Sequence, residues 1–297
     1  MKHIGFVGAS GLMGHGMAKN IQAKGFELSL TIHSRTEPVQ DLLAAGAKRV
    51  AGYRDLTACD AVVICVTGSP QVEAVVAGPN GLLSQARPGL IVIDTSTSEP
   101  ESTRRLAALC ADQGVIYVDA PLTRTPVEAE QGRLNTMVGA SQAVFEQISP
   151  LLQAYCENVF HVGETGAGHV IKLLNNFIAQ AICTASAEAF AVGTKAGVDV
   201  RQLVRVVSAG GANSGLFQAM AKTLDGDFTG LKFELNNAAK DLRYYGHLTE
   251  SVKAHSQIGS SVHQALNLAA ALGYGSELVP SLVKAQAQLN GVRIGQG

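Results

Sequence analysis

A lysine and two asparagines at helical spacing carry the most chemistry in this sequence. In the stretch Gly166-Ala167-Gly168-His169-Val170-Ile171-Lys172-Leu173-Leu174-Asn175-Asn176, three polar side chains stand at i, i+3 and i+4. On a helix Lys172, Asn175 and Asn176 therefore share one face and form one site. The neighbours Val170, Ile171, Leu173, Leu174, Phe177, Ile178, Ala181 and Ile182 are apolar nearly all the way round, the pattern of a buried helix. Burial favours the uncharged amine, which is what general acid/base work at neutral pH requires. A helix-end lysine that carries its charge out to solvent fits the same local pattern, so context has to decide.

The context begins at the N-terminus. An apolar strand, His3 to Val7, runs into Gly8-Ala-Ser-Gly11-Leu12-Met13-Gly14 and then a helix, Met17 to Ala23. Strand, glycine turn and helix form the entry of a nucleotide-binding fold: glycines let the backbone approach a pyrophosphate, and the helix start offers amide donors. The spacing is G-x-x-G-x-x-G, one residue longer than the usual dinucleotide fingerprint. The second strand, Glu27 to Ile32, ends at His33-Ser34-Arg35-Thr36, where an adenosine ribose is normally read. No carboxylate stands there. Ser34, Arg35 and Thr36 offer donors and a positive charge suited to a 2′-phosphate, which points to NADP with NAD possible; Arg35 capping a surface loop is the other reading.

Further apolar strands follow at Ala61 to Val66, Gly89 to Ile93 and Val115 to Val118, separated by helical patterns such as Glu101 to Gln113. Leu134 to Val138 and Asn158 to Val162 close the series around a helix, Gln142 to Leu152. The alternation predicts an α/β fold, a Rossmann-type doubly wound parallel sheet, in residues 1–164. Ligands of such sheets lie beyond the carboxyl ends of the strands. That places Val66, Thr67 and Thr97 with Gly8, Gly11, Leu12, Met13 and Gly14 on the cofactor side, and Thr123-Arg124-Thr125 at another strand end. Residues 165–297 read as helices only: Val200 to Ser208, Leu216 to Leu224, Asn236 to His247, Ser260 to Leu272 and Leu278 to Leu289 after the long helix through Lys172. The chain is thus a dinucleotide-binding domain followed by an all-helical C-terminal domain for substrate and dimerisation, with Lys172 at the junction, where a substrate cleft is expected.

Composition narrows the function. A net charge of −1 over 297 residues, with Lys and Arg scattered, argues against nucleic acid or an anionic membrane as main partner. The run Phe177 to Val198 has the length of a membrane span but contains Gln180, Glu188 and Lys195, and reads as core. Cys59, Cys65, Cys110, Cys156 and Cys183 are widely spaced without a C-x-x-C pair, as expected for reduced thiols of a cytoplasmic protein. No secretory signal is expected, since Met1 leads straight into a strand. The eight histidines are dispersed, so no metal site is expected. His161 and His169 read as hydrogen-bonding residues at the domain boundary.

Taken in order, the glycine turn with Met13-Gly14, then Ile93-Asp-Thr-Ser-Thr97, Asp119-Ala-Pro121, Gly132 with Met137-Val-Gly139, Gly166-Ala-Gly168 with Lys172 and Asn175-Asn176, and Lys240-Asp-Leu242 resemble the β-hydroxyacid dehydrogenase family. That group includes 3-hydroxyisobutyrate dehydrogenase and tartronate semialdehyde reductase, and the resemblance covers essentially the whole chain. It implies an NAD(P)-dependent oxidoreductase of the CH–OH class (EC 1.1.1 type), interconverting a short anionic 3-hydroxy acid and its semialdehyde by hydride transfer. Lys172 would be the general acid/base, Asn176 would hold the same substrate oxygen, and Lys240 would lie beside cofactor and substrate; Lys240 paired with Glu234 or Asp241 on a helix surface is the other reading. Separately, the long apolar helix through Lys172 suggests a homodimer or higher homo-oligomer, and a buried helix of a monomer fits the same pattern.

Departures from the family pattern bear on substrate. Relatives carry Ser-Gly-Gly where this chain has Thr123-Arg124-Thr125. Either Arg124 takes a carboxylate, sulfonate or phosphate bidentately, as in sulfolactaldehyde-type reductases, or it turns outward to pair with Glu128 and leaves backbone amides to the substrate. An imine reductase shares the architecture but usually lacks the lysine, and a non-catalytic NADP-binding module would have no need of Lys172 and Asn176.

Overall fold

The computed structural model describes residues 1–32 and 36–295. The first part alternates strands and helices: β1 (His3–Val7), α1 (Gly14–Ala23), β2 (Glu27–Thr31), α2 (Gln40–Ala44), β3 (Lys48–Val50), β4 (Ala61–Ile64), α3 (Ser69–Ala77), β5 (Ile91–Asp94), α4 (Pro100–Ala111) and β6 (Ile116–Asp119). It continues through β7 (Leu122–Thr123), α5 (Pro126–Glu130), β8 (Leu134–Gly139), α6 (Gln142–Leu152) and β9 (Cys156–Gly163). Helices then take over: α7 (Ala167–Lys195), α8 (Val200–Ser208), α9 (Gly215–Ala221), α10 (Leu235–Ser251), α11 (Gln257–Ala269) and α12 (Leu282–Asn290).

The strands form one sheet in the order β3-β2-β1-β4-β5-β6-β8-β7, with β9 on β8. Pairing is parallel from β3 through β6, with Phe6 opposite both Leu30 and Val63. Strands β4 and β5 are buried at every residue, as expected of a parallel sheet covered on both faces. Alternate residues feed two apolar layers, one around Ile4, Phe6, Met17 and Leu30, the other around Val7, Val62, Ile64 and Tyr117. The order reverses at β1, flanked by β2 and β4, which makes the loop after β1 a switch point. The sheet is dominated by parallel pairing, as expected, with one local departure: β8 is antiparallel to β6 and to the two-residue β7. The link from β7 to β8 is too short for a βαβ crossover, so β8 has to return antiparallel.

Two compact units divide the chain, Met1–Lys172 and Leu173–Gly297, so the division falls inside α7. In the second unit Phe177 stacks on Tyr245 at 4.5 Å, and Phe190 meets Phe217 edge-on at 6.0 Å. Asp199 and Ser214 cap α8 and α9 by accepting from Arg201 and Phe217 amides. The Asn236 amide donates to the Gly275 carbonyl at 2.9 Å, and a Cβ on Gly275 would come within 2.4 Å of the Asn236 side chain.

Helix α7 corrects one expectation. Leu173, Asn176, Gln180, Cys183, Ala187 and Phe190 are buried, but Ile171, Leu174, Ile178 and Val192 are exposed, Ile178 to 58%. It is a helix buried on one side, with an apolar stripe left outside. By length and composition alone it is long and apolar enough to cross a membrane, with 39% of its most apolar window buried.

Candidate active site

The glycine turn is set by contacts that exclude a side chain. Gly8 sits at φ +94°, and a Cβ there would lie 2.0 Å from the Cys65 carbonyl oxygen. A Cβ on Gly14 would lie 2.1 Å from the Gly8 carbonyl, whereas one on Gly11 would keep 3.2 Å. Gly8 and Gly14 thus close the turn, and Gly11, exposed beside the exposed Leu12, faces outward. No side chain caps α1, whose N-cap is Met13; within the opening turn the His15 amide donates to the Gly11 carbonyl at 3.0 Å, and no side-chain acceptor closes the helix start to a pyrophosphate. The residues present fit a dinucleotide.

Beyond the other strand ends, the Val66 amide donates to Ser96 Oγ at 3.0 Å, and Thr95 Oγ1 donates to the Ile64 carbonyl at 2.7 Å. These bonds tie together the loops that carry Val66, Thr67 and Thr97; Thr67 is exposed and the other two partly buried. Thr36 is partly buried at the start of a 3-10 turn. Ser34 and Arg35, expected to read the ribose, lie outside the described residues.

At the centre of Thr123-Arg124-Thr125 the backbone takes a conformation that favours glycine. Arg124 has φ +82°, in the left-handed region that side chains rarely adopt. Its guanidinium pairs with Glu157 and donates to the Arg133 carbonyl, rather than reaching Glu128. Glu128 instead accepts from the Thr125 amide at 3.0 Å and from its hydroxyl at 2.5 Å, in a capping box that starts α5. Residue 124 is exposed, yet its side chain is only 28% exposed, so its main chain faces outward.

Lys172, Asn175 and Asn176 lie along α7 as the spacing requires, with Lys172 partly buried, Asn175 exposed and Asn176 buried. Asn176 Nδ2 donates to Asp241 Oδ2 at 2.6 Å, and its Oδ1 accepts from Asn175 Nδ2 at 3.1 Å. A carboxylate only accepts, so Asp241 fixes which way the Asn176 amide points and leaves one N–H for another partner. Lys240 Nζ lies 3.2 Å from Asp241 Oδ1 as an ion pair without hydrogen-bond alignment. In the sequence Asp241 reads only as a possible partner for Lys240, and its bond to Asn176 is not foreseen. Its role depends on a contact 65 residues away in the chain.

The other reactive side chains are taken up elsewhere. Burial pushes the Cys59 and Cys65 thiols up to about 11 and those of Cys110 and Cys183 to about 12, so none is a thiolate nucleophile at neutral pH. His161 stacks on Phe145 at 4.6 Å and donates to the Ala140 carbonyl at 2.6 Å. Among the described residues no cluster of three His, Cys, Asp or Glu could hold a metal.

Residues 3–163 match the family model for the NAD binding domain of 6-phosphogluconate dehydrogenase. Residues 166–285 match the one described as NAD-binding of NADP-dependent 3-hydroxyisobutyrate dehydrogenase. The chain belongs to the β-hydroxyacid dehydrogenase family. It is similar to the 2-(hydroxymethyl)glutarate dehydrogenase of Eubacterium barkeri, 31% identical over 99% of this chain and 98% of that one. The 2-hydroxy-3-oxopropionate reductase of Escherichia coli is also 31% identical, over 93% of each. A solved 3-hydroxyisobutyrate dehydrogenase from Salmonella typhimurium superposes with a TM-score of 0.82 at 28% identity, covering 96% of this chain and 99% of that one. As a β-hydroxyacid dehydrogenase the chain is an oxidoreductase acting on a hydroxyl group, with a nicotinamide dinucleotide as cofactor.

Proposed function

We propose that this β-hydroxyacid dehydrogenase is NADP-dependent and interconverts a short anionic 3-hydroxy acid with its semialdehyde, Lys172 being the general acid/base. The observation that carries the reading is the Asn176–Asp241 bond at 2.6 Å, which holds a donor ready one helical turn from Lys172. The bound nicotinamide supplies or takes the hydride. Lys172 gives a proton to the developing alkoxide in reduction and removes it from the hydroxyl in oxidation. Asn176 uses its remaining N–H to hold that oxygen, and the outward main chain around Thr123 and Arg124 takes the substrate's anionic group. Lys240 adds positive charge next to Asp241.

NADP preference rests on the chemistry of Ser34, Arg35 and Thr36. The pairing of Arg124 with Glu157 favours backbone recognition of a carboxylate over a sulfolactaldehyde-type site built on the guanidinium. Lys172 speaks against an imine reductase and, with the oriented Asn176, against a module without catalysis. Five free cysteines fit a cytoplasmic setting. The stripe Ile171, Leu174, Ile178 and Val192 is the face for a second copy, giving a homodimer or higher homo-oligomer.

The test is oxidation of NADPH and NADH against semialdehydes ending in carboxylate, sulfonate or phosphate. Lys172→Ala should lower kcat by about 10²- to 10⁴-fold with the dinucleotide still bound. A Lys172→Ala variant as active as wild type overturns the mechanism.

A further inference from the structure

Three stretches conspicuous in the sequence converge on one buried carboxylate. Asp119, at the end of β6 and fully buried, accepts from the Gly166 amide at 2.6 Å and from the His169 amide at 2.8 Å. Those amides lie where α7 starts. Gly166 has φ +100° and no side chain with which to cap a helix, so a tertiary carboxylate supplies the acceptor that an N-cap residue would normally provide. Two glycines make room for it. A Cβ on Gly139 would lie 2.4 Å from Asp119 Oδ1, and one on Gly168 would lie 2.9 Å from Oδ2 and 2.4 Å from the Met137 carbonyl.

The side chain of His169, also fully buried, locks the same turn from the other side. Its Nε2–H donates to the Ser96 carbonyl at 3.1 Å, and Nδ1 lies 2.7 Å from Thr103 Oγ1. Asp94 Oδ2 stands 3.7 Å from Nε2 and is itself held by Ser98 Oγ at 2.9 Å and Tyr117 Oη at 3.0 Å. The first turn of α7 is thereby fixed in position along its axis and in rotation about it. Lys172 follows His169 by three residues, less than one helical turn.

We propose that Asp119 is a positioning residue for the reaction: with His169 it fixes the start of α7 and so the place of the Lys172 amine. The proposal rests on Lys172 being the acid/base. Asp119 touches neither substrate nor cofactor in this account; it acts through the helix.

Asp119→Asn keeps the volume and one acceptor but turns an NH₂ toward a backbone N–H. It should lower kcat roughly 10- to 100-fold, because small misplacements of a reacting group are costly, with the dinucleotide Kd and aldehyde KM little changed. Thr103→Val should give a smaller loss of the same kind, restored by Thr103→Ser. In a Lys172→Ala background the Asp119→Asn change should lower kcat by less than about twofold, because the group it positions is gone. A raised KM at unchanged kcat, or the same fractional loss in both backgrounds, overturns the positioning role. If Asp119→Asn does not fold, the Thr103 pair decides: equal kcat for Val and wild type rejects the proposal. A Lys172→Ala enzyme as active as wild type would reject the acid/base reading itself, an outcome distinct from additivity.

Discussion

Arg124 holds its guanidinium against Glu157 while its main chain stays at φ +82°, a glycine's conformation carried by an arginine. Left-handed backbone costs a side-chain-bearing residue about 1–2 kcal/mol. An ion pair whose carboxylate is open to solvent returns little. Arg124→Gly should therefore leave stability within about 1 kcal/mol of wild type, relief of strain offsetting the lost pair and glycine's greater entropy. If backbone amides take the anion, KM for a carboxylate semialdehyde should stay within about threefold in Arg124→Gly and in Glu157→Gln, a change below the 1.4 kcal/mol of a tenfold step. A KM that falls in Glu157→Gln and rises in Arg124→Gly would assign the anion to the guanidinium.

Asp241 gives the next prediction. Removing its carboxylate leaves the buried Asn176 amide without its acceptor, at a cost of about 1–3 kcal/mol. Asp241→Ala should lower both the thermal midpoint and kcat, while Asp241→Asn, which still offers a carbonyl oxygen, should recover most of the stability. Equal stability for the two variants would show that the bond does not orient Asn176.

The glycine turn separates folding from binding. Gly14→Ala puts a Cβ 2.1 Å from the Gly8 carbonyl, so the turn has to open, and thermal stability should fall along with dinucleotide affinity. Gly11→Ala, at 3.2 Å, should fold with a near-normal midpoint yet bind NADPH more weakly, because the added methyl would stand on the exposed side of the turn proposed to receive the pyrophosphate. Calorimetry and fluorescence titration of both variants would check this.

His15 makes stability depend on pH. Burial opposes its charge, but hydrogen bonds to Glu130 at 2.6 Å and to Asp41 at 3.0 Å, with their Coulomb attraction, outweigh it and raise the pKa above 6.5. A raised pKa gives stability that is complete below 6.5 and is lost as pH rises through the folded-state value. Asp41 and Glu130 are shifted down, so their share is lost instead as pH falls through their depressed values. The thermal midpoint should decline on the alkaline side in wild type, and this decline should be reduced in His15→Gln. The cluster joins α1, α2 and α5, three elements brought together only by folding.

The apolar stripe on α7 predicts association. Ile178→Glu places a charge on the exposed face proposed for a second copy, and sedimentation should shift toward the monomer. An unchanged sedimentation profile would remove this face from the interface.

The spacing of Gly8, Gly11 and Gly14, the apolar strands, and Lys172 with Asn176 one turn on were legible in the sequence because they are local: backbone conformation and helical periodicity act over a few residues. Family membership followed from the order of such local signals. Tertiary structure alone decided the rest. Which carboxylate caps α7, which one orients Asn176 and where the Arg124 guanidinium goes depend on residues 33 to 65 positions apart, and which face of α7 stays bare depends on what packs against it. Side-chain pairing at such separations is set by how strands and helices pack, and periodicity along the chain carries no record of it.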